Sequence, residues 1–184
     1  MSDSVGTTIV KNSASLISGR LVSRIFLFFL MIYAARVLGV EKYGVFSYAL
    51  ALATLLAVIM DLGISRYMVQ QLSRDHTKIR RFLGASLSVK SVLIICGIAS
   101  IIGLGIIMHR DRETLLIMLT LGCYIALDSL SAPFVSVFQA TQRMGYQALL
   151  VSISNVVMAV AGFMCLYLKP NVLLFSTIFI FGGL

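Results

Sequence analysis

The sequence predicts an all-α fold, a polytopic transmembrane helix bundle of about six helices. Hydrophobic residues make up 59% of the chain and charged residues only 12%. Soluble domains have about 45–50% apolar and about 25% charged residues. The apolar residues form five long stretches, and a sixth begins near the C-terminus. Since about 20 apolar residues can cross a bilayer as a helix, these observations exclude a soluble globular domain.

The apolar stretches define the predicted helices in chain order. We expect helices at about 17–38, 43–65, 84–108, 114–137, 146–168 and 171–184. The uncharged run Ile25–Ala35 has 11 residues, which is too short to span a bilayer. A spanning first helix must therefore include Arg24. Proline lacks a backbone N–H, so Pro133 is expected to kink or end the fourth helix.

Basic residues and the last apolar stretch predict orientation and extent. The connection after the second helix contains five basic residues: Arg66, Arg74, Lys78, Arg80 and Arg81. Cytoplasmic loops carry an excess of such residues, so the N-terminus is expected in the cytoplasm. The final stretch, Asn171–Leu184, begins a helix that it is too short to complete as a span. We therefore expect residues 1–184 to form a single transmembrane lobe, with the C-terminal lobe missing.

Charge and cysteine placement narrow the function classes. The net charge is +8, but the basic residues flank apolar runs, which argues against a nucleic-acid partner. The three cysteines lie within apolar stretches and lack metal-ligand spacing, so we predict no metal site and no cofactor. Motifs of a membrane enzyme, such as HExxH, do not occur in the sequence, and we predict no enzymatic activity.

Charged side chains inside apolar stretches are the candidate functional residues, because hydrocarbon disfavours them. The predicted orientation places Arg20, Arg24, Asp61, Lys90, Asp128 and Asn155 in the cytoplasmic half of the membrane. Arg20 and Arg24 lie one helical turn apart, and together with Lys90 they could bind a diphosphate. Asp61, Asp128 and Asn155 would tune or gate that charge.

Each of these charged residues also has a structural alternative. Lys90 and Arg20 could extend their side chains to the cytoplasmic headgroups. Asp61 could cap or end the second helix at the interface. Arg24 and Asp128 could form a purely structural ion pair. The sequence leaves these alternatives open.

Four short motifs occur in order at or near the ends of the predicted helices: Ala35–Gly39, Tyr43–Gly44, Asp61–Gly63 and Phe138–Arg143. In this order the chain resembles, over about residues 12–168, the polysaccharide flippases of the multidrug/oligosaccharidyl-lipid/polysaccharide exporter superfamily. The resemblance implies a two-lobed bundle of about a dozen helices that works by alternating access. The present chain would correspond to the N-terminal lobe.

The resemblance also implies a function. Such a protein would translocate undecaprenyl-diphosphate-linked oligosaccharide, the precursor of O-antigen or capsule, from the cytoplasmic to the periplasmic leaflet of the bacterial cytoplasmic membrane. Membrane lipid is then a partner, and so are the polysaccharide polymerase and chain-length machinery. The glycan and any coupling ion stay open. The alternatives are a drug/cation antiporter of the same superfamily and a membrane glycosyltransferase or polymerase.

Overall fold

The computed structural model describes the backbone of residues 2–75, 78–140 and 144–182 and the side chains of residues 24–75, 78–140 and 151–180. Within these residues the chain forms six helices and no strand, which confirms the predicted all-α fold. The helices are α1 (Ser2–Asp61), α2 (Ile64–Leu72), α3 (Ile79–Ile107), α4 (Arg112–Ala140), α5 (Met144–Leu168) and α6 (Val172–Gly182).

A single glycine divides α1 into two helices. Gly39 has φ 78° and ψ 168°, which no helical residue adopts, and glycine reaches this region without steric cost. The helix resumes immediately after it, so the four-residue turn that we predicted at 39–42 is reduced to one residue. Glu41 then lies in the first turn of the second helix, where a carboxylate interacts favourably with the helix dipole.

A second break separates α1 from the short helix α2. Leu62 and Gly63 both have positive φ, 43° and 80°, so α1 ends at Asp61, four residues before the predicted end. Helix α2 is amphipathic, and its apolar residues recur at Ile64, Met68 and Leu72. Met68 and Leu72 are fully buried against the beginning of α3 and the end of α4. The basic loop predicted after the second helix therefore begins as a packed helix.

Residues 40–61 run antiparallel to α3. At one end Asp61 contacts Lys90. At the other end the Tyr48 hydroxyl donates a hydrogen bond to the Met108 sulfur at 3.0 Å. Residues 24–38 pack instead against α5, where Gly162 lies beside the buried Leu30. The break at Gly39 thus lets the two parts of α1 contact different neighbours.

Aromatic rings connect α6 to the rest of the core. The ring centroid of Phe46 lies 5.0 Å from that of Phe175 and 5.4 Å from that of Phe179. Tyr124 of α4 approaches Phe179 edge-on at 5.7 Å. Such tilted and edge-to-face pairs are the favourable geometries for aromatic side chains. Helix α6 therefore completes the core that α1 and α4 begin.

Apolar side chains also cover much of the outside of the bundle. Four helical segments in the described residues are long and apolar enough to cross a membrane: Arg24–Asp61, Ile79–Ile107, Arg112–Ala140 and Val151–Leu168. On α3 the outward residues include Val92 and Ile95, which are 61% and 68% exposed. A surface this apolar is stable in lipid and not in water. The chain is a membrane protein.

Helix α4 continues seven residues beyond its proline. We expected Pro133 to kink or end this helix and the helix to finish at about residue 137, but α4 extends to Ala140. Membrane helices tolerate an internal proline when neighbouring groups satisfy the freed backbone carbonyl. The start of α3 also differs from expectation, since it begins at Ile79 and not near residue 84. Its first turn packs Ile79, Phe82 and Leu83 against α2.

The contact between α1 and α5 depends on the absence of a side chain at Gly162. A Cβ at Gly162 would lie 2.9 Å from two methyl groups of the fully buried Leu30. We therefore expect Gly162→Ala to destabilise the chain by about 1–3 kcal/mol, the usual cost of overpacking. Thermal unfolding in detergent measures this effect. Gly103→Ala is the matched control, because a Cβ at Gly103 meets nothing within 4 Å; equal stability of the two variants would contradict the packing.

Candidate functional site

Lys90 is a buried ammonium in the middle of α3. Its side chain is 0% exposed, and its Nζ lies 2.7 Å from Asp61 Oδ1 at the end of α1. Asp61 is 34% exposed, so the acid faces an opening while the lysine lies behind it. An isolated buried ammonium is strongly disfavoured, and a hydrogen-bonded carboxylate offsets that cost. The two charges neutralise each other across two helices.

Serine hydroxyls and one backbone carbonyl complete the surroundings of the lysine. Lys90 Nζ donates to the Ser129 carbonyl at 2.9 Å and to Ser65 Oγ at 3.2 Å. Ser65 Oγ in turn donates to Asp61 Oδ1 at 2.5 Å. An ammonium has three protons and no acceptor, so Asp61, Ser65 and Ser129 can satisfy all three. The site therefore joins α1, α2, α3 and α4 through one nitrogen atom.

An open cavity of about 550 Å³ lies in front of this pair. The end of α1 and the start of α2 form one wall, and α4 forms the other. The cavity contains both carboxylates of the region, Asp61 and Asp128, together with the exposed Arg66. Its remaining lining residues are Ala57, Val58, Gly63, Ser65, Ile125, Ser129 and Ala132.

A second cavity of about 390 Å³ extends the first one along α2 and α4. The two cavities share Ser65, Arg66 and Ala132. The second one adds the polar side chains of Ser136 and Gln139, and its apolar lining is Val69 and Val135. We call the two cavities together the polar groove. The Ser136 hydroxyl lies 3.2 Å from the Ser65 carbonyl of α2 and 2.9 Å from the Ala132 carbonyl of α4, so these two carbonyls share its single proton at the base of the groove.

Arg66 is the exposed cation of the polar groove. It follows directly after Ser65 on α2 and lines both cavities. The described side chains provide no ion-pair partner for its guanidinium, whereas Lys90 is paired. A guanidinium has five N–H donors in a planar fork, which suits the oxygens of a phosphate. Arg66 is thus the described groove residue best placed to meet an anion.

The structure brings together three of the six predicted site residues. Asp61 and Lys90 form the buried pair, and Asp128 lies exposed in the cavity in front of them. Asp61 pairs with Lys90 and with no arginine of the described residues. The Lys90 side chain points inward and does not extend to headgroups. Its proposed contact with a diphosphate stays a prediction.

Among the other three predicted residues, Arg24 and Asn155 lie apart from the groove lining. Arg24 is an exposed residue of α1, and exposed apolar residues follow it from Ile25 onward. It forms no ion pair among the described side chains. Asn155 on α5 is half-buried and lines neither cavity. The side chain of Arg20 lies outside the described residues. The role of each stays a prediction.

Sequence reasoning missed five polar residues of the site, including Ser136 and Gln139 of the second cavity. Arg66 was counted only as a loop charge for orientation, and Ser65 and Ser129 carried no distinguishing signal. One pattern could have identified Arg66. The apolar spacing of Ile64, Met68 and Leu72 predicts an amphipathic helix, and such a helix presents Arg66 on its opposite, polar side.

The exposed charges of the groove balance one another. Lys90 and Asp61 form a neutral pair, which leaves Arg66 and Asp128 as one cation and one anion. The described lining together with Lys90 therefore has no excess of positive charge. No three histidine, cysteine or acidic side chains in the described residues converge in a way that could hold a metal ion.

Comparison with known proteins assigns the family. A family model described as "Polysaccharide biosynthesis protein" matches residues 9–182, nearly the whole chain and the entire polar groove. No curated protein and no solved structure matches the chain. The apolar helices, the Asp61–Gly63 break and the groove all lie within the matched region. The chain belongs to the family of polysaccharide biosynthesis proteins.

Proposed function

We propose that the chain is part of a flippase that moves undecaprenyl-diphosphate-linked oligosaccharide from the cytoplasmic to the periplasmic leaflet of the bacterial cytoplasmic membrane. The family supports a role in polysaccharide synthesis or export. The single observation that carries the proposal further is an open polar groove beside a buried ion pair inside an apolar bundle. Bilayer-embedded polar cavities are where transporters bind their solutes.

The groove has the chemistry that a phosphate-linked sugar requires. The guanidinium of Arg66 can receive phosphate oxygens through two parallel hydrogen bonds. The carboxylate of Asp128 and the side chains of Ser136 and Gln139 can bind sugar hydroxyls, which both donate and accept hydrogen bonds. Val69 and Val135 provide apolar surface along the same path. The polyprenyl chain would stay in the surrounding lipid.

The predicted orientation places the groove at the cytoplasmic side, where the substrate is made. Helix α2 is amphipathic, and five basic residues lie between positions 66 and 81. Both features are typical of the cytoplasmic interface. We propose accordingly that the N-terminus is cytoplasmic. Translocation would follow the alternating-access scheme, in which one helical lobe moves against another around a central site.

Arg66 is expected to bind the diphosphate, so Arg66→Ala should reduce surface polysaccharide by about tenfold or more, because two hydrogen bonds to a charged group would be lost. Arg66→Lys keeps the charge without the fork and should give an intermediate level. The measurement is the amount of surface polysaccharide in cells that carry the altered gene, at equal protein level in the membrane. For Arg24 the sequence predicts that Arg24→Ala abolishes surface polysaccharide in the same assay while the protein stays in the membrane.

The control for Arg66 is Arg80→Ala. Arg80 is exposed in the first turn of α3 and does not line the groove. The Arg80→Ala substitution therefore removes a positive charge from the proposed cytoplasmic side without changing the proposed binding surface. Normal polysaccharide in Arg66→Ala, or an equal loss in Arg80→Ala, would remove Arg66 from the mechanism.

The Lys90–Asp61 pair should respond asymmetrically to loss of either charge. Asp61→Asn leaves a fully buried ammonium without an anion, and we expect a loss of about 3–5 kcal/mol. Lys90→Met leaves a carboxylate that faces the open groove and can be hydrated, so the loss should be smaller. Thermal unfolding of the purified single and double variants measures the difference. The double variant should recover part of the stability that is lost in Asp61→Asn. No recovery would show that the two charges are not coupled.

One observation favours the antiporter alternative. Asp128 is an exposed carboxylate without an ion-pair partner among the described side chains, and a cationic drug would require such a group. Arg66 in the same cavity argues against the antiporter, because its guanidinium repels cations. The two functions differ in a simple test. Increased drug resistance on overexpression, together with unchanged polysaccharide after Arg66→Ala, would favour the antiporter.

A further inference from the structure

Pro133 lies buried in the interior of α4, four residues after Ser129. In a regular helix the N–H of residue 133 would donate to the carbonyl of residue 129, but proline has no N–H. The Ser129 carbonyl is therefore left without its helical donor. In apolar surroundings an unpaired carbonyl is unfavourable, so another donor must be supplied.

The donor in this structure is the side chain of Lys90. Its Nζ lies 2.9 Å from the Ser129 carbonyl oxygen, which is closer than the Ser129 hydroxyl at 3.4 Å. The ammonium of Lys90 is completely buried and has three protons for three near acceptors: Asp61, Ser65 and the freed carbonyl. The proline thus supplies one of the three acceptors on which the buried charge depends.

We propose that Pro133 is a positioning residue for Lys90. By leaving the Ser129 carbonyl unpaired, it fixes the ammonium behind the groove wall, where Lys90 neutralises Asp61 and contributes no free charge to the groove. The role of Pro133 goes beyond the proposed function, because it concerns how the side chains behind the polar groove are positioned. It would be the same for any solute that the groove binds.

The same nitrogen connects two irregularities of the backbone. Asp61 and Ser65 stand on either side of the left-handed pair Leu62 and Gly63. The third acceptor lies at the proline of α4. Movement of Lys90 would therefore remove a contact shared by both sides of the α1–α2 break and would also leave the Ser129 carbonyl of α4 without a donor.

The test uses Pro133→Ala, which restores the missing backbone N–H. Once the Ser129 carbonyl is bonded within α4, Lys90 loses an acceptor, and its amine should spend more time in the open groove. The purified full chain in detergent is treated with acetic anhydride, and acetylation of each lysine is followed by mass spectrometry. Acetylation of Lys90 should rise by about tenfold, the order expected for one lost hydrogen bond to a charged group.

Internal and matched controls accompany this measurement. Lys42 and Lys169 are exposed, and their acetylation should be equal in the two proteins if the variant is folded. Ser129→Ala removes only the hydroxyl at 3.4 Å and keeps the carbonyl, so it should leave Lys90 protected. Unchanged protection of Lys90 in folded Pro133→Ala would overturn the proposal, and so would loss of protection in Ser129→Ala.

A second measurement applies if Pro133→Ala does not fold by itself. Lys90→Met leaves the Ser129 carbonyl without any donor, and adding Pro133→Ala supplies one from the backbone. The unfolding temperature of the double variant should therefore equal or exceed that of Lys90→Met, whereas independent effects would make it lower. A double variant that is less stable than Lys90→Met would contradict the proposed role of the proline.

Discussion

The buried ammonium of Lys90 is the constraint on which the rest of the site depends. A charge with no exposed surface in the middle of a membrane bundle requires a complete set of acceptors, because water cannot supply them. The protein provides one carboxylate, one hydroxyl and one backbone carbonyl, each from a different helix. These contacts fix the end of α1, the start of α2 and the middle of α4 relative to α3.

The polar groove follows from this arrangement. Because Asp61 and Lys90 neutralise each other, the groove can be open and polar without exposing an excess of charge. The left-handed residues Leu62 and Gly63 turn the chain from α1 into α2, which lines the groove with Arg66. Helix α2 buries Met68 and Leu72 on its apolar face. Its polar face is therefore directed toward the polar groove, whose other wall is α4.

The sequence was sufficient for the fold class and for part of the site. Apolar stretches predicted the helices, and the cost of intramembrane charge identified Asp61, Lys90 and Asp128 as candidates. It could not predict that Lys90 pairs with Asp61, because the two residues are 29 positions apart and several cations were equally plausible partners. It also treated Arg66 as a loop residue, because a short helix after a two-residue break was not expected. Pro133 by itself indicates that the Ser129 carbonyl lacks a helical donor, but only the structure shows that Lys90 supplies one.

The central claim is that the polar groove binds the diphosphate-linked oligosaccharide. A photoreactive benzophenone residue at Ala132, which lines both cavities, tests it most directly in native membranes. We expect a crosslink to a lipid-linked oligosaccharide that is lost when Arg66→Ala is added. The same probe at Val92, on the exposed apolar surface of α3, should capture only bulk phospholipid. If the Ala132 probe also captured only bulk phospholipid, the groove would not be the substrate site.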